Sequence, residues 1–326
     1  MAVANAFLSL LGSSGPVLAD GAMGTSLFAA GLESGDPPEM WNLDHPDRVL
    51  QIHADYVAAG SEILLTNSFG GNALRLKLHG LQERVVELNQ AAAQLARRAA
   101  DTAERPVVVA GSMGPTGELL EPMGLLTHEL CQMVFADQAR GLESGGADVL
   151  WLETLSDLGE VRDAISGIRT VSSLPLVVTM SFDTAGRTMM GVHARDMAMQ
   201  LAELGVAAIG ANCGNNLADT EAALLEMAQA DTGVPLVGKA NAGIPEWKGT
   251  GLVYSGTPEV MGAHAHRLTQ QHVKIIGGCC GSSHEHLRLM RGVIDGVIPV
   301  PDVAVGTAST PVGSANTRSR RRASSR

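Results

Sequence analysis

Apolar runs of seven to ten residues recur along the chain, and between them apolar positions return every three or four residues. The runs are "VLADGAMG" (17–24), "EILLTNSFG" (62–70), "PVVVAGSMGP" (106–115), "DVLWLET" (148–154), "PLVVTMSF" (175–182), "AAIGANCG" (207–214), "PLVGKANAG" (235–243) and "VKIIGGCCG" (273–281). Each starts as a continuous, largely β-branched stretch, as a strand buried on both faces should, and then turns to Gly, Asn, Asp, Ser, Thr or Cys. The intervening segments predict helices. Val49, Ile52, Tyr56 and Val57 share one helical face, and Thr257 can cap a helix that opens with Pro258 and Glu259. Gly60, Gly146 and Gly205 stop helices ahead of strands, and Pro106, Pro175 and Pro235 open the third, fifth and seventh runs.

Eight such units predict an α/β fold, a single (β/α)8 TIM-type barrel over residues 1–298, in preference to a doubly wound sheet of fewer strands. The polar residues would then gather at the C-terminal mouth, where such barrels do their chemistry. From residue 299 periodicity stops, and 299–326 is expected to be a disordered basic tail.

Composition narrows the function classes. At 45% hydrophobic and 17% charged the chain has globular composition, and no apolar stretch approaches the roughly 20 residues of a membrane span, so no membrane partner is expected. The N-terminal "AFLSLLGSSGPVLAD" looks faintly like a signal peptide, but the first basic residue is Arg48, and without a positive leader segment the expected compartment is cytoplasmic. Five arginines after Pro301 hide an acidic body of net charge -15 within the overall -11, which argues against a nucleic-acid partner. "GSMGPTG" lacks the Lys-Ser/Thr of a P-loop, and the first strand opens no GxGxxG. The pairs in "HAHR" (264–267) and "HEHL" (284–287) stand two apart, pointing to different helix faces, and are expected to be solvated.

Four cysteines are too few for a disulfide framework, yet two of them, Cys279 and Cys280, are adjacent. A bridge between neighbours would be strained. If the barrel is right, Cys213 ends the sixth strand and Cys279 and Cys280 the eighth, so three thiols reach one mouth and could share a zinc ion with one position left open. The competing reading is three buried core cysteines, which is also the reading that suits Cys131 within the helical "THELCQMVF". Asn67 and Asn212 also stand at strand ends, either lining a pocket or shaping turns.

"DGAMGT" (20–25), "TNSFG" (66–70), "GSMGPTGE" (111–118), "GANCGNN" (210–216), "NAGIPE" (241–246) and "GGCCG" (277–281) resemble the homocysteine S-methyltransferase family over about residues 15–298. Within it, "FDTAGRTMMG" (182–191) and "IPEWKGTGLVYSGTPE" are most similar to the bacterial betaine-homocysteine branch. The resemblance implies a Zn2+ enzyme in which Cys213, Cys279 and Cys280 hold the metal, homocysteine takes the fourth position through sulfur, and methyl transfer yields methionine. It implies that Asp20 and Glu153 hold the substrate ammonium. It also implies that Trp41 and Phe69 contact the donor, although Gly70 and Thr154 stand where animal betaine enzymes place tyrosines; Trp247 and Tyr254 could rebuild that cage. The partners implied are homocysteine and a small methyl donor, glycine betaine first, with S-methylmethionine or a carrier-borne methylcobalamin as alternatives. The non-enzyme alternative is a zinc-thiolate redox sensor or amino-acid-binding barrel. Oligomeric state is left open, a homo-oligomer included.

Overall fold

The computed structural model describes residues 5–183, 186–243, 245–248 and 251–303, with backbone alone at 245–248 and 251–253. The expected disordered tail lies, from residue 304 on, outside the described residues. The strands are β1 Val17–Leu18, β2 Ile63–Leu65, β3 Val108–Met113, β4 Val149–Leu155, β5 Leu176–Met180, β6 Ala208–Cys213, β7 Leu236–Ala240, β8 Pro245–Lys248, β9 Gly251–Tyr254 and β10 Ile275–Gly278. Eight of them pair in parallel in the order β1-β10-β7-β6-β5-β4-β3-β2, and a parallel bridge from Ala19 to Ile63 joins the two ends. The result is the expected TIM-type barrel, with helices in the connections. β8 and β9 form a separate antiparallel hairpin between the seventh and eighth barrel strands.

Side chains alternate across each strand, and that period of two sorts the barrel into layers. Val17, Ile63, Val108, Val149, Val177, Ala208, Val237 and Ile275 form one buried interior cluster with Trp151 and Phe7. Phe7 comes from a helix, Ala6–Leu11, started by the Asn5 side chain accepting from the Phe7 and Leu8 amides. The stretch that looked faintly like a leader therefore supplies a fully buried plug for the N-terminal end of the barrel. The outward strand residues, Leu18, Leu64, Leu150 and Ile276 among them, pack in the main core with Val49, Ile52, Tyr56 and Val57. At the C-terminal end the same alternation turns polar: Ser112 follows Ala110, Glu153 follows Trp151, and Lys239 follows Val237 on one face.

The expected stops at Gly60, Gly146 and Gly205 all have positive φ, and Thr257 accepts from the Val260 amide as the predicted cap. No helix among the described residues is long and apolar enough to cross a membrane. The histidine pairs depart from expectation. His264 is fully buried, its Nδ1 2.6 Å from Glu221, which also pairs with Arg267, because its helix packs that face inward. His286 caps its own helix through Ser283 and reaches the Gly256 carbonyl.

His53 is fully buried with neither ring nitrogen partnered, and burial lowers its pKa to about 4. A base with a depressed folded-state pKa favours the unfolded chain as pH falls from 6.5 through 4. His53→Leu should remove that component, worth up to about 3 kcal/mol near pH 4, and urea unfolding at a series of pH values reads it as a flatter acid limb. An unchanged acid limb would assign the lability elsewhere.

Candidate active site

The three cysteines are brought together by strand register. Cys213, the last residue of β6, pairs with Ala240 of β7, and the Cys279 amide donates to the Ala240 carbonyl at 2.8 Å, so β7 spaces the two arms. Cys213 Sγ lies 3.3 Å from Cys279 Sγ and 3.9 Å from Cys280 Sγ. Two ligands at the usual zinc–sulfur length of about 2.3 Å in a tetrahedron stand about 3.8 Å apart, so these spacings fit a shared ion. Among the described residues, these three form the one His/Cys/Asp/Glu group with metal-binding spacing. Cys131 is buried in the helix His128–Ser144, and burial raises its thiol pKa.

Crowding makes the thiols unequal. Hydrogen bonds from Cys213 and then Cys279 lower the Cys280 pKa, with the Tyr254 hydroxyl adding to the effect. Cys213 is raised, because it donates to Cys279 and Cys280 and is buried. Tyr254, half-buried, packs over Gly281, where φ is +80° and an added Cβ would fall 2.2 Å from the Tyr254 ring. Gly281→Ala should therefore displace either the tyrosine or the Cys280 turn, lowering stability by about 1 to 3 kcal/mol. Metal content and Tm together check this; wild-type values for both would show that the turn tolerates a side chain.

The opposite side of the mouth holds charge. Lys239 is almost completely buried; its Nζ donates to Asp20 Oδ1 at 2.7 Å and stands 5.8 Å from the Trp151 ring centroid. The Leu65 amide donates to Asp20 Oδ2 at 2.7 Å. Burial pushes Asp20 up while Lys239 pulls against it; burial would lower Lys239, but Asp20 and Glu153 outweigh that and hold it high. Wherever the shared proton rests, the pair carries no net charge. Glu153 is left as the further carboxyl beside it, accepting from the Ser112 hydroxyl and raised by burial to about 7, with Lys239 as the opposing influence.

A cavity of about 240 Å³ joins these groups, lined by Glu153, Lys239, Cys213, Cys279, Cys280 and, on the outer side, Glu39, Asn67 and Phe69. Drug-sized ligands take about 300 Å³ or more, so the space suits an amino acid and a small co-substrate better than a nucleotide. Phe69 is partly exposed at the rim. Asn67 lines the cavity while its amide holds the Pro38 carbonyl and Asn42 Oδ1.

Three expected residues stand outside the lining. Asp20 lies behind Lys239 with both oxygens engaged. Asn212 lies behind Thr154. Trp41 is a core residue, its ring edge-on to His45 and covered by the Arg48 guanidinium at 5.2 Å, so its cation-binding face is already taken by the chain's own arginine. The Trp247 side chain falls outside the described residues. Lys239, Ser112 and Glu39 were not expected. Glu39 accepts from the Gly70 amide at 2.7 Å and is raised by burial. Lys239 and Ser112 each share a strand face with an interior residue, Val237 and Ala110 respectively.

The family model for homocysteine S-methyltransferase matches residues 17–294. Methionine synthases of Mycobacterium leprae and Mycobacterium tuberculosis are 30% identical over 302 residues and 31% over 287, covering 87% and 83% of this chain. The chain spans about a quarter of those relatives' length, 25% and 24%. Among solved structures, the homocysteine methyltransferase MmuM of Escherichia coli in its oxidised form superposes with a TM-score of 0.76 at 25% identity, covering 88% of this chain and 99% of that one. Its metallated form gives 0.75 at 24% identity, with the same coverage.

Proposed function

The chain belongs to the homocysteine S-methyltransferase family, and we propose that it transfers a methyl group from a small onium donor to the thiol of homocysteine, giving methionine, with zinc held by Cys213, Cys279 and Cys280. One observation carries the reading: three thiols 3.3 and 3.9 Å apart face the same small cavity as the Glu153 carboxyl. A bound zinc ion would keep the substrate sulfur deprotonated and nucleophilic at neutral pH.

The chain's own residues supply the rest. Three clustered cysteines with no fourth His, Cys, Asp or Glu of metal-binding spacing among the described residues leave room for an incoming thiol, whereas structural zinc sites normally close with four protein ligands; this favours the enzyme over a zinc-thiolate sensor. Glu153 offers its carboxylate to the homocysteine ammonium, an interaction that draws its proton off at neutral pH. The Asp20–Lys239 pair lies beneath as a neutral, fixed support. The first turn of the helix Met23–Ala29 lines the cavity and offers amide N–H groups to the substrate carboxylate.

Two carboxyls, Glu39 and Glu153, line the cavity while its lysine is committed to Asp20, which favours a cationic donor. Glycine betaine is the first candidate. The Arg48 cover on Trp41 removes one aromatic wall that a quaternary ammonium would use, and this favours S-methylmethionine as a second reading. The test is purified, zinc-loaded protein with homocysteine and separate donors, scored for methionine. Methionine from either onium donor supports the proposal; methionine from methylcobalamin alone, or from none, overturns it.

A further inference from the structure

We propose that Asn212 is a positioning residue whose carboxamide clamps Thr154 in a left-handed turn and so sets the Glu153 carboxyl into the cavity. This rests on the function proposed above for Glu153. Thr154 has φ 64°. That conformation is costly for a β-branched residue and persists where surrounding structure imposes it. The imposing group is in view: Asn212 Oδ1 accepts from the Thr154 amide at 2.8 Å, and Asn212 Nδ2 donates to Thr154 Oγ1 at 2.7 Å. Asn212 is 1% exposed.

The clamp stands where the sheet gives no help. The β4–β5 register is shifted between Leu152 and Leu155, so residues 153 and 154 are not in regular pairing. Asn212 reaches past β5 from β6 to supply the missing partners. Thr154 immediately follows Glu153, so its backbone angle fixes the direction from which the carboxyl enters the mouth. Asn212 also immediately precedes Cys213, itself left-handed at φ 60°, and its Nδ2 stands 3.9 Å from Cys279 Sγ.

The experiment uses Asn212→Ala, Thr154→Val, Thr154→Gly and the double variant Asn212→Ala/Thr154→Gly, each measured for zinc per chain, Tm and homocysteine Kd. Asn212→Ala should raise Kd about tenfold and lower Tm by roughly 2 to 6 °C, with zinc unchanged. Thr154→Val, which loses one arm only, should show the same trend at about threefold. Glycine adopts positive φ freely, so the double variant should return Kd to within about threefold of Thr154→Gly alone. A double variant as weak as Asn212→Ala, or zinc lost in step with Kd, overturns the clamp. If the wild type binds no homocysteine, the proposed function fails by itself, and the Tm cycle still decides the clamp: equal losses from Asn212→Ala in the wild-type and Thr154→Gly backgrounds refute it.

Discussion

Cys279→Ser is expected to abolish most zinc binding and to reduce methyl transfer by on the order of a thousandfold, about 4 kcal/mol. A serine hydroxyl is a hard, protonated, poor substitute for a thiolate, and Cys279 is one of the three clustered thiols, its Sγ 3.3 Å from that of Cys213. Cys213→Ser should behave alike for the metal. It carries a second cost, because Cys213 holds a left-handed backbone that a bound ion would help to stabilise. Cys131→Ser is the control: buried in a helix among Phe135 and its neighbours, it should keep one zinc per chain while losing about 1 to 3 kcal/mol of stability from a buried hydroxyl. Metal analysis on the three purified variants separates them. Full zinc in Cys213→Ser would remove the three-cysteine site, and with it the chemistry proposed for the mouth.

Why the cluster was legible in the sequence while much of its setting was not follows from the range of the signals. Each strand announces itself by a continuous apolar run and each run ends in polar residues, so Cys213, Cys279 and Cys280 could be placed at one mouth from local pattern alone. Lys239 was hidden by the same pattern. Inside "PLVGKANAG" it looks like the polar end of a strand, and only the register of β7 shows it on the inward face, and its partner Asp20 lies 219 residues away. That partner changes the meaning of Asp20, which the family resemblance implies to be at the substrate and the structure places behind a lysine. Trp41 was expected at the donor only through the family resemblance, but it stands in a short helix and Arg48, seven residues on, covers the ring. His264 was read from helical spacing, which says that two histidines diverge but not which of them meets the neighbouring helix and its Glu221. Local periodicity gives elements and their polar ends; pairings between distant elements decide which polar residues remain free to act.

Glu153→Gln should produce opposite changes in stability and binding. The carboxyl is buried and its pKa raised from 4.5 to about 7, chiefly by desolvation. An acid whose folded-state pKa exceeds its unfolded value favours folding fully below pH 4.5, and that contribution is lost as pH rises through 7. In the substrate-free protein the glutamine variant should thus match the parent near pH 4.5 and exceed it by about 2 to 3 kcal/mol above pH 7. Gln can still accept from the Ser112 hydroxyl, so the difference reports charge and not a lost hydrogen bond. Homocysteine binding should move the other way, weakening by about 1 to 3 kcal/mol as the ammonium loses its charged partner, while zinc content stays at the parental level. The parent's affinity should also fall below pH 7, where ligand binding must displace the carboxyl proton, and this slope should be absent from the variant. Urea unfolding across pH and isothermal titration with homocysteine read the two changes separately. A variant that is no more stable at pH 8, with homocysteine affinity intact, would show Glu153 to be a satisfied core residue, and the substrate ammonium would need another partner.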